Sequence, residues 1–345
     1  MKLPALALLA LLALLACLPT SAHAAEVKVL MAGEAKTDLD SVLKLAEGAQ
    51  RRLWLFAYTL SDKGLLKVLA EKAKQPDFDL RVLIDSKQFS KLKSKLSVLK
   101  GKLTQIKVPA KGRMHVKLLL VDEHTFVAGS KNWSHLPSLT KWNDLVIVRD
   151  SKLVARVAQD FARVGGFRAK RAKTKAAPRA PGMEAARAAV RFCAPGKLGA
   201  KARAQILGMI KRAKKRVLVA MFVLNDLELA KAIHKQRRKG VEVKVVLAAV
   251  QHANLKRRKD RNAKALLSTL EALGPGLKLC RGKQVHHKFA VIDEVVVTGS
   301  ANWTKAAWGR NHEVVLILRR AKKAKRARFV EAYVKRHGVL WKSAE

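Results

Sequence analysis

The feature that most constrains this chain is an internal repeat of one motif. Residues 114–133 read MHVKLLLVDEHTFVAGSKNW, and residues 285–303 read VHHKFAVIDEVVVTGSANW. Both copies contain H-x-K, four residues, D, and then G-S-x-N-W, although the stretch between D and G is one residue shorter in the second copy. Because a repeat of this length marks a structural unit, the chain is predicted to fold as two copies of one plan.

The flanks of the two motifs repeat as well. Apolar strand-like segments alternate with helix-like segments before each motif, at residues 53–59 and 80–84 in the first copy and 217–224 and 241–247 in the second. This alternation predicts an α/β fold with two similar lobes, each a mixed β-sheet flanked by helices and related to the other by a pseudo-two-fold axis. The predicted divisions are a signal peptide at 1–24, a first lobe at 25–168, a basic Ala/Pro linker at 169–182 and a second lobe at 183–345.

The first residues resemble an export leader. A Leu/Ala-rich run is followed by Ala22, His23 and Ala24, which predicts cleavage after Ala24 and a secreted or periplasmic protein. Lipidation at Cys17 is the alternative, and an uncleaved anchor is disfavoured because the apolar run is short for a membrane span. Cys193 and Cys280 would remain after cleavage, either paired or as two buried thiols.

The charge balance is strongly basic. The chain has 71 Lys and Arg against 26 Asp and Glu, a formal net charge of +45, while 49% hydrophobic residues exclude a disordered basic tail. Residues 25–175 carry 31 basic and 15 acidic side chains (+16), and residues 176–345 carry 39 and 11 (+28). Solvated helix faces account for part of this excess, but its size favours a polyanionic partner or surface.

The repeated motif carries an arrangement suited to a phosphate. On a β-strand, residues i and i+2 share a face, so each motif histidine projects beside its lysine. Two potential cations repel when buried together, and an anion between them removes the conflict. If the lobes meet at a two-fold axis, one site gathers histidines, lysines and hydrogen-bonding side chains from both copies: His115, Lys117, Ser130, Asn132, His286, Lys288, Ser300 and Asn302.

These motifs resemble the signature of the phospholipase D superfamily, and the resemblance covers nearly the whole chain after the leader. The second copy, which continues into NHEVVLIL, is similar to the branch with mitochondrial cardiolipin hydrolase and bacterial single-motif nucleases. The first copy departs from it with Lys131 inside G-S-x-N and with WNDLVIV in place of NHEVVLIL. Neither departure removes a motif histidine, lysine or asparagine.

The resemblance implies a metal-independent phosphodiesterase that needs no cofactor and forms its active site within one chain, with no obligate protein partner. It implies that His115 attacks phosphorus to give a phosphohistidine, while His286 protonates the leaving alcohol and then activates water. His287 is expected on the opposite face of the strand. The resemblance further assigns phosphoryl binding to Lys117, Lys288, Asn132 and Asn302 with Ser130 and Ser300 in support, a structural role to Asp122 and Asp293, and a hydrogen bond to each catalytic histidine to Asp144 and Glu313.

Three functions fit these features. The favoured one is a phospholipase D that binds phospholipid at an anionic membrane surface and releases phosphatidic acid, with residues 319–336 as a basic amphipathic candidate. The second is a secreted endonuclease on DNA or RNA, in which Trp133 and Trp303 would stack on bases, although core packing is the commoner role of such residues. The third is a non-catalytic polyanion-binding protein, which the intact motifs disfavour.

Overall fold

The computed structural model describes residues 24–32, 37–134, 141–167, 182–281 and 284–345. The predicted leader and the predicted linker lie outside these residues except for Ala24 and Gly182.

Two runs of elements follow one another with the same order of strands, and the second run has two more helices among the described residues. The first lobe contains β1 (Ala25–Ala32), α1 (Thr37–Glu47), β2 (Arg52–Ala57), α2 (Lys63–Lys74), β3 (Asp79–Ile84), α3 (Ser86–Leu96), β4 (Gln105–Lys107), β5 (Arg113–Met114), β6 (Leu118–Val121), β7 (Thr125–Gly129), β8 (Lys141–Arg149) and α4 (Ser151–Gly165). The second lobe contains β9 (Glu184–Cys193), α5 (Leu198–Arg212), β10 (Arg216–Met221), α6 (Leu227–Arg238), β11 (Glu242–Ala248), α7 (Ala249–Lys256), α8 (Arg261–Glu271), β12 (Leu277–Cys280), β13 (Gln284–Val285), β14 (Lys288–Ile292), β15 (Val295–Gly299), α9 (Lys305–Gly309), β16 (Asn311–Arg320) and α10 (Arg328–Lys342).

The strands form one continuous mixed sheet whose halves have the same order. The first half runs β1-β8-β7-β6-β2-β3-β4, and the second runs β9-β16-β15-β14-β10-β11-β12. The halves join where β1 pairs antiparallel with β9, with Ala25 opposite Ala186. An antiparallel junction between equivalent strands is what a two-fold axis requires. The α/β fold of two similar lobes therefore has the architecture that the repeat predicts.

Both sides of the sheet are covered. Helices α1–α3 cover one face of the first lobe and α5, α6 and α8 cover one face of the second, each over its own apolar cluster. A third cluster joins the inner faces and contains Phe56 and Val146 from the first lobe and Leu316 from the second. Helices α4 and α10 complete this shared cluster, with Phe161 and Tyr333 both fully buried. The lobes therefore share one core where they meet.

The C-terminal basic segment is a packed helix. Phe329, Val330, Tyr333 and Leu340 of α10 are buried against the sheet, so its apolar side faces inward rather than towards a membrane. In the part of the chain that the structure describes, no helix is both long enough and apolar enough to cross a bilayer.

Aspartates begin the helices that follow equivalent strands. Asp62 precedes α2 and accepts a hydrogen bond from the backbone N–H of Leu65 at 3.0 Å. Asp226 precedes α6 and accepts one from the N–H of Leu229 at 3.2 Å. A carboxylate at this position satisfies a free N–H of the first helical turn, which fixes where each helix starts. The chain therefore begins a helix in the same way after β2 and after β10.

Candidate active site

Each H-x-K segment leaves its own lobe and pairs with a strand of the other. β5, just before His115, pairs in parallel with β16, and the N–H of His115 donates to the carbonyl of His312 at 3.0 Å. β13, just before His286, pairs with β8, and the N–H of His286 donates to the carbonyl of Trp142 at 3.0 Å. Both motif histidines are therefore anchored at the lobe boundary.

His115 is held by a carboxylate from the second lobe. Its Nδ1 lies 2.9 Å from both carboxylate oxygens of Glu313, which is fully buried on β16. Glu313 also accepts hydrogen bonds from the hydroxyl of Ser300 at 2.5 Å and from Nδ2 of Asn311 at 3.1 Å. These contacts fix the imidazole so that Nε2 is the ring nitrogen left for chemistry.

The ionisation of this pair suits a nucleophile. Burial lowers the pKa of His115, and this effect outweighs the opposing charge of Glu313, so the ring is neutral near pH 7. Burial would raise the pKa of Glu313, but the His115 charge and hydrogen bonds from His115 and Ser300 bring it below its usual value. The charge of Lys288 also lowers the pKa of His115, which indicates that the second motif is close to the first.

His286 has an uncharged partner. Its Nδ1 lies 2.8 Å from Oδ1 of Asn143 on β8, so the first lobe holds the histidine of the second. Asn143 occupies the position equivalent to Glu313, because Gly129 pairs with Leu145 in the same way as Gly299 pairs with Val315. The prediction that Asp144 holds a catalytic histidine is therefore wrong. Asp144 is the next residue along β8, and consecutive strand residues face opposite sides of the sheet.

Asp144 instead holds His287, on the face away from His286. Its carboxylate accepts hydrogen bonds from Nδ1 of His287 at 3.0 Å, the Ser130 hydroxyl at 2.7 Å, the Tyr333 hydroxyl at 2.7 Å and the Thr298 hydroxyl. Burial works against ionisation, yet these donors lower the pKa of Asp144 to about 2. The network joins β8 of the first lobe to β15 and α10 of the second, so Asp144 ties the lobes together beneath the site.

The motif lysines lie beside the histidines and are almost fully buried. Nζ of Lys117 donates to the carbonyl of His115, and Nζ of Lys288 donates to the carbonyl of His286, both at 2.5 Å. Burial lowers the pKa of Lys117 to about 7. A buried ammonium this poorly solvated gains strongly from an anionic neighbour, so the pair is suited to a phosphoryl group.

The asparagines and serines of the G-S-x-N motifs have different surroundings. Oδ1 of Asn132 and of Asn302 is buried without a hydrogen-bond partner among the described residues. Ser130 and Ser300 are fully buried and donate to Asp144 and Glu313, so their hydroxyls support these carboxylates rather than point to a phosphate. Each of these amide oxygens would be satisfied by a bound group that donates a hydrogen bond, whereas the serines contact the buried carboxylates.

The motif glycines allow two strands to approach closely. A Cβ on Gly129 would lie 2.2 Å from the carbonyl oxygen of Asp144, and one on Gly299 would lie 2.2 Å from that of Val314. The next residue in each copy donates its N–H to that same carbonyl, both at 2.9 Å. Glycine is thus required where β7 meets β8 and β15 meets β16.

Asp122 and Asp293 hold turns away from the histidines. Both have left-handed backbone, with φ of 50° and 51°, at the turns after β6 and β14. The carboxylate of Asp122 accepts the N–H groups of residues 50–52, and that of Asp293 accepts those of residues 214–216. The first turn has one residue more than the second, which accounts for the unequal motif spacing.

Two aromatic residues that the sequence analysis did not single out lie beside the histidines. The ring of Tyr58 is centred 5.5 Å from that of His115, and the ring of Phe222 is centred 5.1 Å from that of His286. Each is the first residue after an equivalent strand, β2 or β10, and that shared position is the signal that would have identified them. By contrast, Trp133 and Trp303 are buried in the lobe cores and cannot stack on bases.

The two cysteines of the described residues lie in the cores of the lobes. Cys193 and Cys280 are both free and buried, and burial raises the pKa of Cys193 to about 12. Within the described ranges, no group of three or more His, Cys, Asp or Glu side chains is placed to hold a metal ion.

Comparisons with known proteins identify the family of this chain. The family described as "Cardiolipin synthase, PLD-like domain" matches residues 42–164 and 206–335. Human mitochondrial cardiolipin hydrolase is 30% identical over 145 residues, which are 42% of this chain and 55% of that protein. The chain thus matches only about half the length of this relative.

Solved structures share the fold over almost the whole chain. Phosphatidylserine synthase from Haemophilus influenzae has a TM-score of 0.65 at 13% identity, over 90% of this chain and 85% of that one. Polyphosphate kinase from Porphyromonas gingivalis has a TM-score of 0.60 at 11% identity, over 91% of this chain and 50% of that one. With the family match over both lobes and the two H-x-K segments at one boundary, the chain belongs to the phospholipase D superfamily.

Proposed function

We propose that the protein is a phosphodiesterase that cleaves phospholipids through a phosphohistidine on His115. The observation that carries the proposal is the exchange of histidine partners between the lobes: Glu313 holds His115, and Asn143 holds His286. Each ring is fixed at Nδ1, which leaves Nε2 for the reaction, and a buried lysine lies beside each ring. This is the set of groups that a two-step displacement at phosphorus needs.

In the first step, the lone pair on Nε2 of neutral His115 forms a bond to phosphorus. The bond between phosphorus and the leaving alcohol breaks, and the alcohol oxygen takes the proton from Nε2 of His286. The imidazole of His115 becomes positively charged, and Glu313 lies 2.9 Å from its Nδ1 to stabilise that charge. Lys117 and Lys288 would balance the phosphoryl oxygens.

In the second step, neutral His286 takes a proton from water as the water oxygen attacks phosphorus. The phosphorus–nitrogen bond breaks, and its electron pair returns to Nε2 of His115. Both histidines are then in their starting states, so the cycle needs no other acid or base.

Three observations support phospholipid as the substrate class: the names of the relatives, the burial of two tryptophans and the net charge of the chain. The family description, the human relative and the Haemophilus structure all name proteins that act on or make phospholipids. The burial of Trp133 and Trp303 removes the stacking platform that a nuclease interpretation used. The formal charge of +45 suits an anionic lipid surface.

The test compares wild type with His115→Ala and His286→Ala, and with His234→Ala on α6 as a matched control. Vesicles of phosphatidylcholine with phosphatidylglycerol or cardiolipin are incubated with each protein. Phosphatidic acid and the released headgroup alcohols are then resolved by mass spectrometry. Wild type and His234→Ala should release phosphatidic acid, and the other two variants should lose at least about 10³-fold in rate.

The same proteins are assayed on single-stranded and double-stranded DNA and on RNA. Cleavage of nucleic acid without lipid turnover would replace the phospholipid proposal with a nuclease. A denaturing quench at mildly alkaline pH, where the phosphorus–nitrogen bond of a phosphohistidine survives, tests the intermediate, which should carry a phosphatidyl group on the peptide with His115 and on no peptide of His115→Ala. Unimpaired turnover by His286→Ala on an alkyl ester would refute the two-histidine reaction.

A further inference from the structure

We propose that Asn143 is the positioning residue of His286 and that its uncharged amide makes His286 the proton donor, an inference that rests on the proposed two-histidine reaction. The amide oxygen lies 2.8 Å from Nδ1 of His286 and occupies the place that Glu313 takes opposite His115. The family resemblance had assigned an acidic partner to each of the two histidines.

The contact is built into the lobe boundary. Asn143 is 5% exposed and His286 is 9% exposed. The neighbouring backbone is fixed, because the N–H of His286 donates to the carbonyl of Trp142 where β13 pairs with β8. An amide oxygen held in this way accepts a hydrogen bond from Nδ1–H of the ring, so Nε2 is the nitrogen that carries the reacting proton.

The two partners differ in charge, and the two histidines change charge in opposite senses. His115 gains a positive charge when it bonds to phosphorus, so a carboxylate partner lowers the energy of that step. His286 starts with the positive charge and loses it when it protonates the leaving oxygen. A carboxylate would favour the charged ring and hold the proton back, whereas an amide orients the ring without this penalty. The asymmetry therefore assigns the nucleophile to His115 and the acid to His286.

Other titratable groups near His286 are Lys288 on its own segment, the Asp144–His287 pair on the other side of β8, and His115, Glu313 and Lys117 from the other half of the site. A change at 143 leaves each of these side chains in place, although the Ser130 hydroxyl lies 3.3 Å from Oδ1 of Asn143 and also donates to Asp144. The signal of His287 is therefore followed together with that of His286, and a shift confined to His286 identifies the effect of its own partner.

The first experiment is Asn143→Asp with Asn262→Asp as control, because residue 262 is exposed on α8 and undergoes the same chemical change. In ¹⁵N-histidine-labelled protein, the His286 signal is assigned by its loss in His286→Gln. A carboxylate at 143 should move the titration of this signal to higher pH by about one unit or more, while the control leaves it unchanged. The same titration in wild type and Asn143→Asp would overturn the proposal, whether or not the protein turns over a lipid.

The second experiment is Asn143→Ala, which introduces no buried charge. The probes are phosphatidylglycerol, whose leaving group needs a proton, and bis(4-nitrophenyl) phosphate, whose leaving group does not. Leaving-group release is measured in a single turnover, because His286 also activates water in the second step with either probe. We expect the rate of this first step on the lipid to fall by about 10- to 100-fold, with little change on the nitrophenyl ester. Equal losses on both probes would show that Asn143 supports the fold rather than the acid. Absence of turnover by wild type would count against the proposed function, and the titration then decides the role of Asn143.

Discussion

Replacement of Glu313 by Gln tests how the site stabilises a phosphohistidine. The change removes one negative charge and keeps the shape of a side chain that is fully buried. The carboxylate lies 2.9 Å from Nδ1 of His115, and opposite unit charges about 3 to 4 Å apart attract by about 4 to 6 kcal/mol at an effective dielectric constant of 20. If most of the positive charge has developed in the transition state, kcat should fall by about 10³-fold.

The pH profile separates this effect from a general loss of structure. Glu313 raises the pKa of His115 against the larger effect of burial, so its removal lowers that pKa further. The nucleophile then stays neutral to lower pH, and the acid limb of kcat/KM moves to lower pH while the plateau falls. Steady-state rates on vesicles from pH 4 to 9, with Tm by circular dichroism, measure both effects.

Glu228→Gln on α6 is the matched control, because it makes the same change on an exposed helix and leaves the site intact. It should retain the wild-type rate and pH profile. A Glu313→Gln protein with native Tm and a kcat within about threefold of wild type would refute the electrostatic argument.

Three further predictions follow from the same contacts. Because the pKa of Lys117 is about 7, a bound anion favours its protonated form, and affinity for inorganic phosphate should fall up to about tenfold per pH unit above 7, measured by calorimetry. The lowered pKa of Asp144, about 2, contributes about 2 kcal/mol of stability above pH 4 that is lost as pH falls towards 2, so urea unfolding of Asp144→Asn and wild type should differ less at pH 2 than at pH 6. Tyr58→Ala and Phe222→Ala should each raise KM more than they lower kcat in vesicle assays, because the rings border the histidines without holding them; a loss confined to kcat would contradict that placement.

Much of the architecture follows from the repeat. Two motifs in matching contexts predict two lobes with the same strand order, and the positions of β2, β3, β10 and β11 follow from short apolar runs. The pairing of β5 and β13 with the opposite lobe does not, because each strand is two residues long and has no hydrophobic pattern of its own. The exchange of histidine partners depends on this pairing, so it emerged only from the fold.

The error at Asp144 has a simpler origin. Matching by residue type aligned the first acid of each final strand, whereas position matches Glu313 with Asn143, since each lies fourteen residues beyond its motif glycine. Counting from the glycine would have found Asn143, because the missing residue lies in the turn before it. His287 looked uninvolved for the right reason, its opposite face, yet it belongs to the network that ties the lobes together.

The crossing of β5 and β13 between lobes has a consequence for how such a site can diversify. In a symmetric dimer of identical one-lobe chains, every substitution occurs twice, so both histidines must share one kind of partner. A single chain with both lobes escapes that constraint, because position 143 and position 313 are encoded separately. The carboxylate beside one histidine and the amide beside the other are a difference that a chain with both lobes can encode and a symmetric dimer of identical chains cannot.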